Sequence, residues 1–279
     1  ERPSLFATAA FALLLLVAPA APAAEFQDLF NGKDLTGWKG HKALWSVVDG
    51  TILGRTTQEN PTKGNTFLIW QGGEVSDFEF TCEVQFEGNN SGVQYRSQVV
   101  DAEQFVLSGY QADLHPRQEY FGMLYGEKLG KRGIIATREQ RIVVDENGEK
   151  RVIEESKPGT TLDGTAWNTL RIVAVGDRLI HQVNGVTTVD ITDRHPDLSS
   201  DSGVLGLQLH AGPPMTVRFR KLKLRHLDGE EAATTLKTAI EEGKPKAQNA
   251  TVAPNAAAPS SEVRKYEWVA AKPRPHWLW

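Results

Sequence analysis

Hydrophobic and polar residues alternate along much of this 279-residue chain, which is the pattern of β-strands that bury one face. The clearest run spans residues 78–86, where Phe80, Cys82 and Val84 alternate with polar side chains. Similar short runs recur between turn dipeptides, and helical periodicity is almost absent. We therefore predict an all-β fold, an antiparallel β-sandwich of jelly-roll type.

Turn residues such as Asp49-Gly50 and Asn184-Gly185 separate the predicted strands. Besides the polar stretches described below, the predicted strands cover residues 45–54 (a hairpin), 67–70, 78–86, 167–175, 179–183, 186–190, 204–210 and 215–224.

Residues 126–158 are polar and charged, and they are predicted to form a long excursion from the sandwich. Within it, residues 141–144 and 151–154 form a predicted hairpin around Asn147-Gly148. Long loops in compact domains are commonly functional, so this excursion is either a lid over a site or a solvated surface hairpin. The sequence favours neither interpretation.

The two ends of the chain differ in composition from its middle. An apolar run at residues 5–17, followed by small residues, predicts a signal peptide over residues 1–24 of a bacterial protein that is exported to the periplasm or secreted. No stable membrane insertion is expected, and a retained anchor is the alternative. Residues 25–227 form the predicted jelly-roll domain. Residues 228–279 are predicted as a short helix (230–242) and a disordered, low-complexity tail with an aromatic end.

Charge and cysteine content exclude several function classes. The formal net charge is -4 and no dense run of Lys and Arg occurs, so no nucleic-acid binding is expected. The single cysteine, Cys82, cannot form an intrachain disulfide, and its place in a strand predicts a buried, inert thiol. The G-x-S-x-G elbow, the H-E-x-x-H motif and the P-loop are all absent.

Polar residues at alternate positions mark one face of three predicted strands. Gln94 and Arg96 share a face of the first strand, and Gln111 and Asp113 share a face of the second. In the third strand, which runs to His210, Gln208 and that histidine lie opposite a row of leucines. If the three strands are neighbours in one sheet, these side chains line one open face with the composition of a site.

The residue types on this face suit acid-base chemistry on a polar ligand. An imidazole with an unperturbed pKa of about 6.5 makes His210 the natural base near neutral pH. Asp113 and Glu127 are the two suitably placed carboxyl groups. Amide groups such as those of Gln94, Gln111 and Gln208 can bind sugar hydroxyls, and Tyr125 could stack on a sugar ring or pack in the core. Arg96 could also form a purely structural ion pair with Asp113.

Several segments of the chain closely resemble the 3-keto-disaccharide hydrolase family, formerly domain of unknown function 1080. The resemblance covers about residues 26–226, with the motifs in the expected order. It rests on residues 29–38 (LFNGKDLTGW), 90–97 (NSGVQYRS), 109–113 (GYQAD), 167–168 (WN), 183–185 (VNG) and 206–210 (GLQLH).

The resemblance implies a concanavalin A-like jelly roll that acts on glycosides oxidised at C3 by a separate oxidoreductase. Members resemble lyases and hydratases, in which β-elimination cleaves the glycosidic bond and water then adds to the 2-hydroxyglucal. A C3 ketone acidifies the C2 proton, so the reaction needs a base, a group that stabilises the enolate oxygen and an acid for the leaving oxygen. A noncatalytic carbohydrate-binding module on the same fold is the alternative function.

On this hypothesis His210 is the base and Arg96 stabilises the oxyanion. Asp113 or Glu127 then orients the base or protonates the leaving oxygen. In the alternative division of roles, His210 and the two carboxylates bind a divalent metal ion that polarises the ketone. No cofactor other than this metal is expected. Arg132 lies in a looser match to an arginine-rich family segment and is a further candidate to reach the sugar.

Overall fold

Two β-sheets, antiparallel except for one parallel pair of strands in the larger sheet, pack face to face in the computed structural model, which describes residues 24–244. The sequence prediction of an all-β jelly-roll sandwich is confirmed. The predicted signal peptide lies outside the described residues, except for residue 24, and the aromatic tail lies outside them entirely. Among residues 24–244, no helix combines the length and the apolar character that crossing a membrane requires.

The larger sheet has ten strands, and its main path runs in the order β12-β11-β15-β14-β13-β6-β17-β4-β3, with β1 paired to β17. Its strands are β1 (Gln27–Asp28), β3 (Trp45–Val48), β4 (Thr51–Arg55), β6 (Phe78–Glu87), β11 (Gln140–Val144), β12 (Lys150–Glu155), β13 (Asn168–Val175), β14 (Arg178–Val183), β15 (Val186–Asp193) and β17 (Thr216–His226).

The smaller sheet has seven strands in the order β10-β9-β8-β7-β16-β5-β2. They are β2 (Trp38–Lys39), β5 (Thr66–Trp70), β7 (Ser91–Asp101), β8 (Val106–Leu114), β9 (Leu124–Glu127), β10 (Gly133–Ala136) and β16 (Val204–Leu209). The hairpins predicted around the turn dipeptides are present as β3–β4, β11–β12 and β14–β15.

The core lies between the two sheets and is filled by the inward members of the alternating strands. In β6, Phe80, Cys82 and Val84 are all buried, as their alternation predicts. Cys82 is buried as predicted, and burial raises the pKa of its thiol, which disfavours the reactive thiolate. Each fully buried aliphatic or aromatic side chain contributes roughly 1.5–3 kcal/mol to folding.

A single helix, α1 (Gly229–Glu242), follows β17 where the sequence predicts one over residues 230–242. Its apolar side packs on the outer face of the ten-stranded sheet, where Ala239 joins Val173 and Ile180. The polar hairpin β11–β12 extends the edge of that same sheet. The hairpin is thus a surface extension of the ten-stranded sheet, whereas the first part of the predicted excursion forms two edge strands of the other sheet, over residues 124–127 and 133–136.

The β7–β8 hairpin bends sharply and folds across the outer face of its own sheet. Its register shifts twice, between Tyr95 and Gln98 and again between Val99 and Asp101. The tip of the hairpin, residues 98–107, reaches β5 and is called the arm below. The backbone amide of Phe67 in β5 donates to the carbonyl of Phe105 in the arm at 2.9 Å.

Candidate active site

The three strands predicted to carry the polar face are neighbours in the seven-stranded sheet, in the order β8-β7-β16. Gln94 lies directly opposite Gln111 on one side and Gly206 on the other. Asp113 follows on the same face of β8, and Tyr125 of β9 continues the row beyond Gln111. The sequence prediction that these strands bring their polar side chains together is therefore correct.

The face is covered, whereas the sequence predicts an open one. Gln94 and Gln208 are fully buried, and Gln111 is almost so. The arm explains part of this burial, because Leu107 lies over Gly206: a Cβ at that glycine would come within 2.6 Å of Cδ1 of Leu107. Because Gly206 has no side chain, Leu107 of the arm can lie over this part of the face.

Four buried amide atoms on this face have no hydrogen-bond partner among the described residues: both atoms of the Gln94 amide, Oε1 of Gln111 and Nε2 of Gln208. A buried amide without a partner costs roughly 1–3 kcal/mol, so folded proteins rarely keep several together. Four such atoms on one face are arranged for a polar ligand that supplies donors and acceptors to them.

Asp113 is the buried carboxyl group of the face. Nε2 of Gln111 donates to its Oδ1 at 2.8 Å, and the side chain of Asn90 also bonds to it. Burial raises the pKa of Asp113 to about 7, an effect to which the nearby Glu127 charge adds and which these hydrogen bonds oppose. Asp113 can therefore hold a proton near neutral pH, as a general acid must.

Glu127 is the second carboxyl group, and Asn65 holds it in place. Nδ2 of Asn65 donates to Oε2 of Glu127 at 3.2 Å, while Oδ1 of Asn65 accepts from the backbone amide of Ala211 at 3.0 Å. Burial raises the pKa of Glu127, with the Asn65 hydrogen bond acting in the opposite direction. Tyr125 lies close enough to Glu127 and Asp113 that their charges, after burial, raise the pKa of its phenol.

His210 follows β16 at the end of the face and is half-buried. Its Nδ1 lies 2.6 Å from the carbonyl oxygen of Ala211, which can only accept, so Nδ1 carries the hydrogen. Nε2 then keeps its lone pair. Burial lowers the pKa of His210, so the neutral ring persists at neutral pH. This is the protonation state that a general base requires.

Two consecutive asparagines lie beside the base and the acid. Nδ2 of Asn89 donates to the carbonyl oxygen of Ala211 at 3.2 Å, the same oxygen that accepts from Nδ1 of His210. The next residue, Asn90, bonds to Asp113. Asn89 thus reaches His210 through the shared Ala211 carbonyl and Asn90 bonds to Asp113, so one backbone segment just before β7 lies beside both groups.

Arg96 does not lie on this face, so its predicted role as oxyanion stabiliser is wrong, as is its predicted pair with Asp113. Its backbone has a φ of 46° at the bulge in β7, which breaks the alternation with Gln94. The buried guanidinium donates to the carbonyls of Ser76 (2.8 Å) and Gly176 (2.7 Å) and to Oδ1 of Asp77 (3.0 Å). Arg96 therefore links β7 by hydrogen bonds to two loops of the ten-stranded sheet, the one before β6 and the one between β13 and β14.

Arg132 also has a structural partner, contrary to the prediction that it reaches the sugar. Its guanidinium forms two hydrogen bonds with Asp193 at the end of β15, at 2.6 and 3.0 Å. The same carboxylate accepts from the hydroxyl of Tyr110, whose side chain lies on the core face of β8. Arg132 therefore joins the two sheets on the side of the seven-stranded sheet that faces away from the candidate site.

The predicted metal set of Asp113, Glu127 and His210 is not assembled in this geometry. Among the residues that the structure describes, no three or more His, Cys, Asp and Glu side chains are placed to hold a metal ion. The carboxyl groups of Asp113 and Glu127 share one neighbourhood, but the imidazole does not complete a ligand set with them.

A cavity of about 660 Å³ opens beside the candidate site, between the loop before β5 and the arm. Asn65, which holds Glu127, forms part of its wall. Its rim carries the polar side chains of His41, Asn60, Lys63 and Gln104, and apolar atoms form most of its exposed wall. The volume suits a group of monosaccharide size or larger, and the polar side chains of the rim can bind its hydroxyls.

Sequence reasoning missed three asparagines that position the chemistry. Asn89 and Asn90 stand immediately before β7, inside the stretch that carries the polar face, so their position was a usable signal. Asn65 gave no such signal, because it is an isolated residue in a loop 62 positions from Glu127. Only the folding of the sheet brings these two residues together.

The residues of the face can both accept and donate protons. A neutral histidine offers a lone pair, a buried carboxyl group offers a proton, and unpartnered amides offer hydrogen bonds to oxygen atoms. These are the requirements for proton abstraction beside a carbonyl group. They also suit the binding of a sugar.

Comparison with known proteins places this site in context. The family described as the 3-keto-alpha-glucoside-1,2-lyase-like domain matches residues 25–225. This range contains every candidate site residue named above. No curated protein matches the chain significantly.

Solved structures with a similar sandwich come from several bacteria. A provisionally named glycosyl hydrolase from Parabacteroides distasonis is 20% identical, with 73% of this chain and 94% of that chain covered and a TM-score of 0.49. Carbohydrate-binding module 66 from Bacillus subtilis is 20% identical over 68% and 95% (TM-score 0.44). The kappa-carrageenase from Pseudoalteromonas carrageenovora is 12% identical over 76% and 99% (TM-score 0.45). At these values the similarities carry no argument about function.

Proposed function

Because this chain belongs to the 3-keto-alpha-glucoside-1,2-lyase-like family, we propose that it cleaves 3-keto-glycosides by β-elimination across C2 and C1. Hydration of the resulting 2-hydroxyglucal follows, so the net reaction is hydrolysis of the glycoside. Family membership supports the coarser statement, a carbohydrate-active enzyme. The finer statement rests on the chemistry of the site.

One observation carries the proposal: a base and an acid with oppositely shifted pKa values lie beside two adjacent asparagines, near unpartnered amides. The pKa of His210 is lowered and that of Asp113 is raised to about 7. Pairs of titratable groups whose environments push their pKa values apart identify acid and base roles. A site that only binds sugar needs the amides but has no use for this pair.

In the elimination step Nε2 of His210 removes the proton from C2. The C3 ketone makes this proton acidic, because the electron pair of the broken C–H bond moves into an enolate. The enolate then re-forms the ketone as the C1–O bond breaks and C1 and C2 become doubly bonded. Asp113 delivers its proton to the departing oxygen, so atoms and charges balance.

The enolate oxygen needs hydrogen-bond donors in place of Arg96. Nε2 of Gln94 and Nε2 of Gln208 are buried donors without partners on the same face. Donors that are already oriented in a water-poor site stabilise a developing oxyanion strongly, typically by about 2.7–4 kcal/mol each. Glu127 supports the acid, since its charge helps to keep Asp113 protonated.

Hydration reverses the proton transfers on the elimination product. Asp113, now ionised, takes a proton from water as the oxygen atom of that water adds to C1. Protonated His210 returns a proton to C2. Both residues recover their starting states. The same pair therefore serves both steps, and the product is the 3-keto-sugar.

The cavity beside Asn65 is a suitable place for the leaving group, because its wall is shared with the carboxyl-bearing part of the site. The substrate class is then a 3-keto-disaccharide or a similar glycoside, supplied by an oxidoreductase that acts at C3. An exported protein in the periplasm or outside the cell completes this proposal, on the strength of the apolar N-terminal run.

The test is turnover of 3-keto-glucosides against their unoxidised parents, with the 2-hydroxyglucal product followed by ultraviolet absorbance. Turnover confined to the keto-sugars, and lost in both His210→Ala and Asp113→Asn, supports the elimination. Binding of both sugars without turnover refutes it and favours the carbohydrate-binding module. A parallel assay with chelator and added divalent cations shows whether a metal takes part.

A further inference from the structure

The outermost strand of the ten-stranded sheet has a free edge. β12 pairs with β11 on one side, and no strand within residues 24–244 pairs with the other. All six residues of β12 are exposed, including Val152 (48%) and Ile153 (50%). An edge with unpaired backbone groups and exposed apolar side chains is a template for another strand.

The charges of β12 are divided between its two halves. Its sequence, Lys-Arg-Val-Ile-Glu-Glu, has two cations at the start and two anions at the end. Edge strands are often protected from pairing by charged side chains, since like charges directly opposite each other are destabilising. Here an antiparallel copy of the same strand would meet opposite charges, so the charges favour pairing with a second copy.

A bulge in β12 determines which of these side chains share a face. Val152 and Glu154 pair with consecutive residues of β11, so Ile153 is an extra residue in the ladder. Lys150 and Glu155 lie opposite Val144 and Gln140, two residues on one face of β11; Arg151 and Glu154 lie opposite Val143 and Arg141, on the other face. In a strand without the bulge, residues five apart would point to opposite faces.

We propose that β12 pairs antiparallel with β12 of a second copy of this chain, around a two-fold axis between Val152 and Ile153. In this register Lys150 faces Glu155 of the partner subunit, and Arg151 faces Glu154 of the partner subunit. The two-fold axis repeats both contacts, which gives four ion pairs, two on each face of the sheet. The bulge is what places each pair on a common face.

The pairing joins two ten-stranded sheets edge to edge and leaves the seven-stranded sheets free. Six residues form an interface far smaller than the roughly 1,200–2,000 Å² of a stable complex. Self-association is therefore weak and depends on concentration. Exposed ion pairs are screened by salt, so it also weakens as ionic strength rises.

Sedimentation velocity over a concentration series at low salt tests this pairing, with the full chain and three variants. E154K/E155K places like charges opposite each other and is expected to weaken self-association at least about tenfold. The charge-swapped K150E/R151E/E154K/E155K restores opposite charges and the association. E25K/E241K makes the same change in net charge at two exposed positions away from β12 and has little effect.

A chain that stays monomeric up to its solubility limit overturns the proposal. So does association that E154K/E155K leaves intact, or that the charge-swapped variant fails to recover while its thermal unfolding matches that of the original chain. Since none of these residues belongs to the candidate site, activity of the variants on 3-keto-glucosides reports separately on the proposed function.

Discussion

Nε2 of Gln111 donates a hydrogen bond to Oδ1 of Asp113, two residues further along the same face of β8, at 2.8 Å. The bond orients a carboxyl group whose pKa burial raises to about 7. The same amide leaves its Oε1 without a partner among the described residues. One glutamine thus orients the proposed acid and retains an acceptor for a ligand hydroxyl.

Asp113→Asn is expected to lower activity and raise stability. Loss of the acid should reduce kcat by about 10²–10⁴-fold. The folded pKa (about 7) exceeds the unfolded value (3.8), so the folded state holds a proton that the unfolded chain releases between these pH values, and stability falls as pH rises through this window. Asparagine does not ionise, so the Asp113→Asn variant should have a free energy of unfolding about 2–4 kcal/mol higher than the original chain at pH 7 and above.

Urea unfolding at pH 4 and pH 8 measures this effect. The difference between Asp113→Asn and the original chain should be small at the lower pH and large at the higher one. Equal differences at both pH values would show that folding does not raise the pKa of Asp113, which would then be ionised at neutral pH and could not act as the acid.

The pH dependence of kcat/KM is expected to be bell-shaped with a narrow optimum near neutrality. The acid limb reflects protonation of His210, whose pKa burial lowers below 6.5, and the basic limb reflects ionisation of Asp113 at about 7. His210→Gln should remove most activity and, in what remains, the acid limb. Persistence of that limb in the variant would assign it to another group.

Arg96 variants are expected to lose stability without losing the chemistry. Arg96→Ala leaves the Ser76 and Gly176 carbonyls and Asp77 without their donor and should cost about 3–5 kcal/mol. Asp77→Asn is expected to cost less stability than Arg96→Ala, because the amide oxygen of Asn can still accept the hydrogen bond from Arg96. Activity per folded molecule should stay within a few-fold; a loss comparable to that of Asp113→Asn would return Arg96 to the site.

Stability is expected to fall with acidity through a buried histidine in the core. Nε2 of His181 lies 2.8 Å from the hydroxyl of Tyr95, and burial lowers the pKa of His181 to about 4. The unfolded histidine takes a proton below pH 6.5 while the folded one resists, so about 3 kcal/mol is lost between pH 6.5 and pH 4. The double variant Y95F/H181L should flatten this part of the stability curve, and an unchanged slope would exclude His181 as its source.

The cavity beside Asn65 should distinguish substrates by the size of their leaving group. His41→Ala and Lys63→Ala remove polar groups from its rim and leave the amide face intact. They are expected to raise KM for 3-keto-disaccharides several-fold and to leave 3-keto methyl glucoside unaffected. An equal effect on both substrates would place the leaving group elsewhere.

Strand alternation was sufficient to predict the sandwich and most of the polar face. Gln94, Gln111 and Gln208 came together because a period of two fixes which side chains share a face. The same rule failed at Arg96, where a non-glycine residue with positive φ and a bulge shift the alternation. Such bulges have no reliable local signature, so the error could be detected only from the fold.

Contacts between distant parts of the chain account for the rest. The burial of the glutamines depends partly on the arm, which closes through a bond between Phe67 and Phe105. The hydrogen bond that holds Glu127 likewise comes from Asn65, which is far away in sequence. Neither contact is encoded in local periodicity, because each arises from the bend of the β7–β8 hairpin and the curvature of the sheet.

The most direct test of the central claim follows the hydrogen at C2. A 3-keto-glucoside deuterated at C2 is incubated with the enzyme, and deuterium is measured in the released sugar and in solvent, with an enzyme-free control for spontaneous exchange. Elimination breaks the C2–D bond, so cleavage is expected to be slower than for the unlabelled substrate, and deuterium enters the solvent to the extent that the deuteron on His210 exchanges before it returns to C2. Release of a sugar that keeps its C2 deuterium, at an unchanged rate, would contradict elimination and indicate direct displacement at C1.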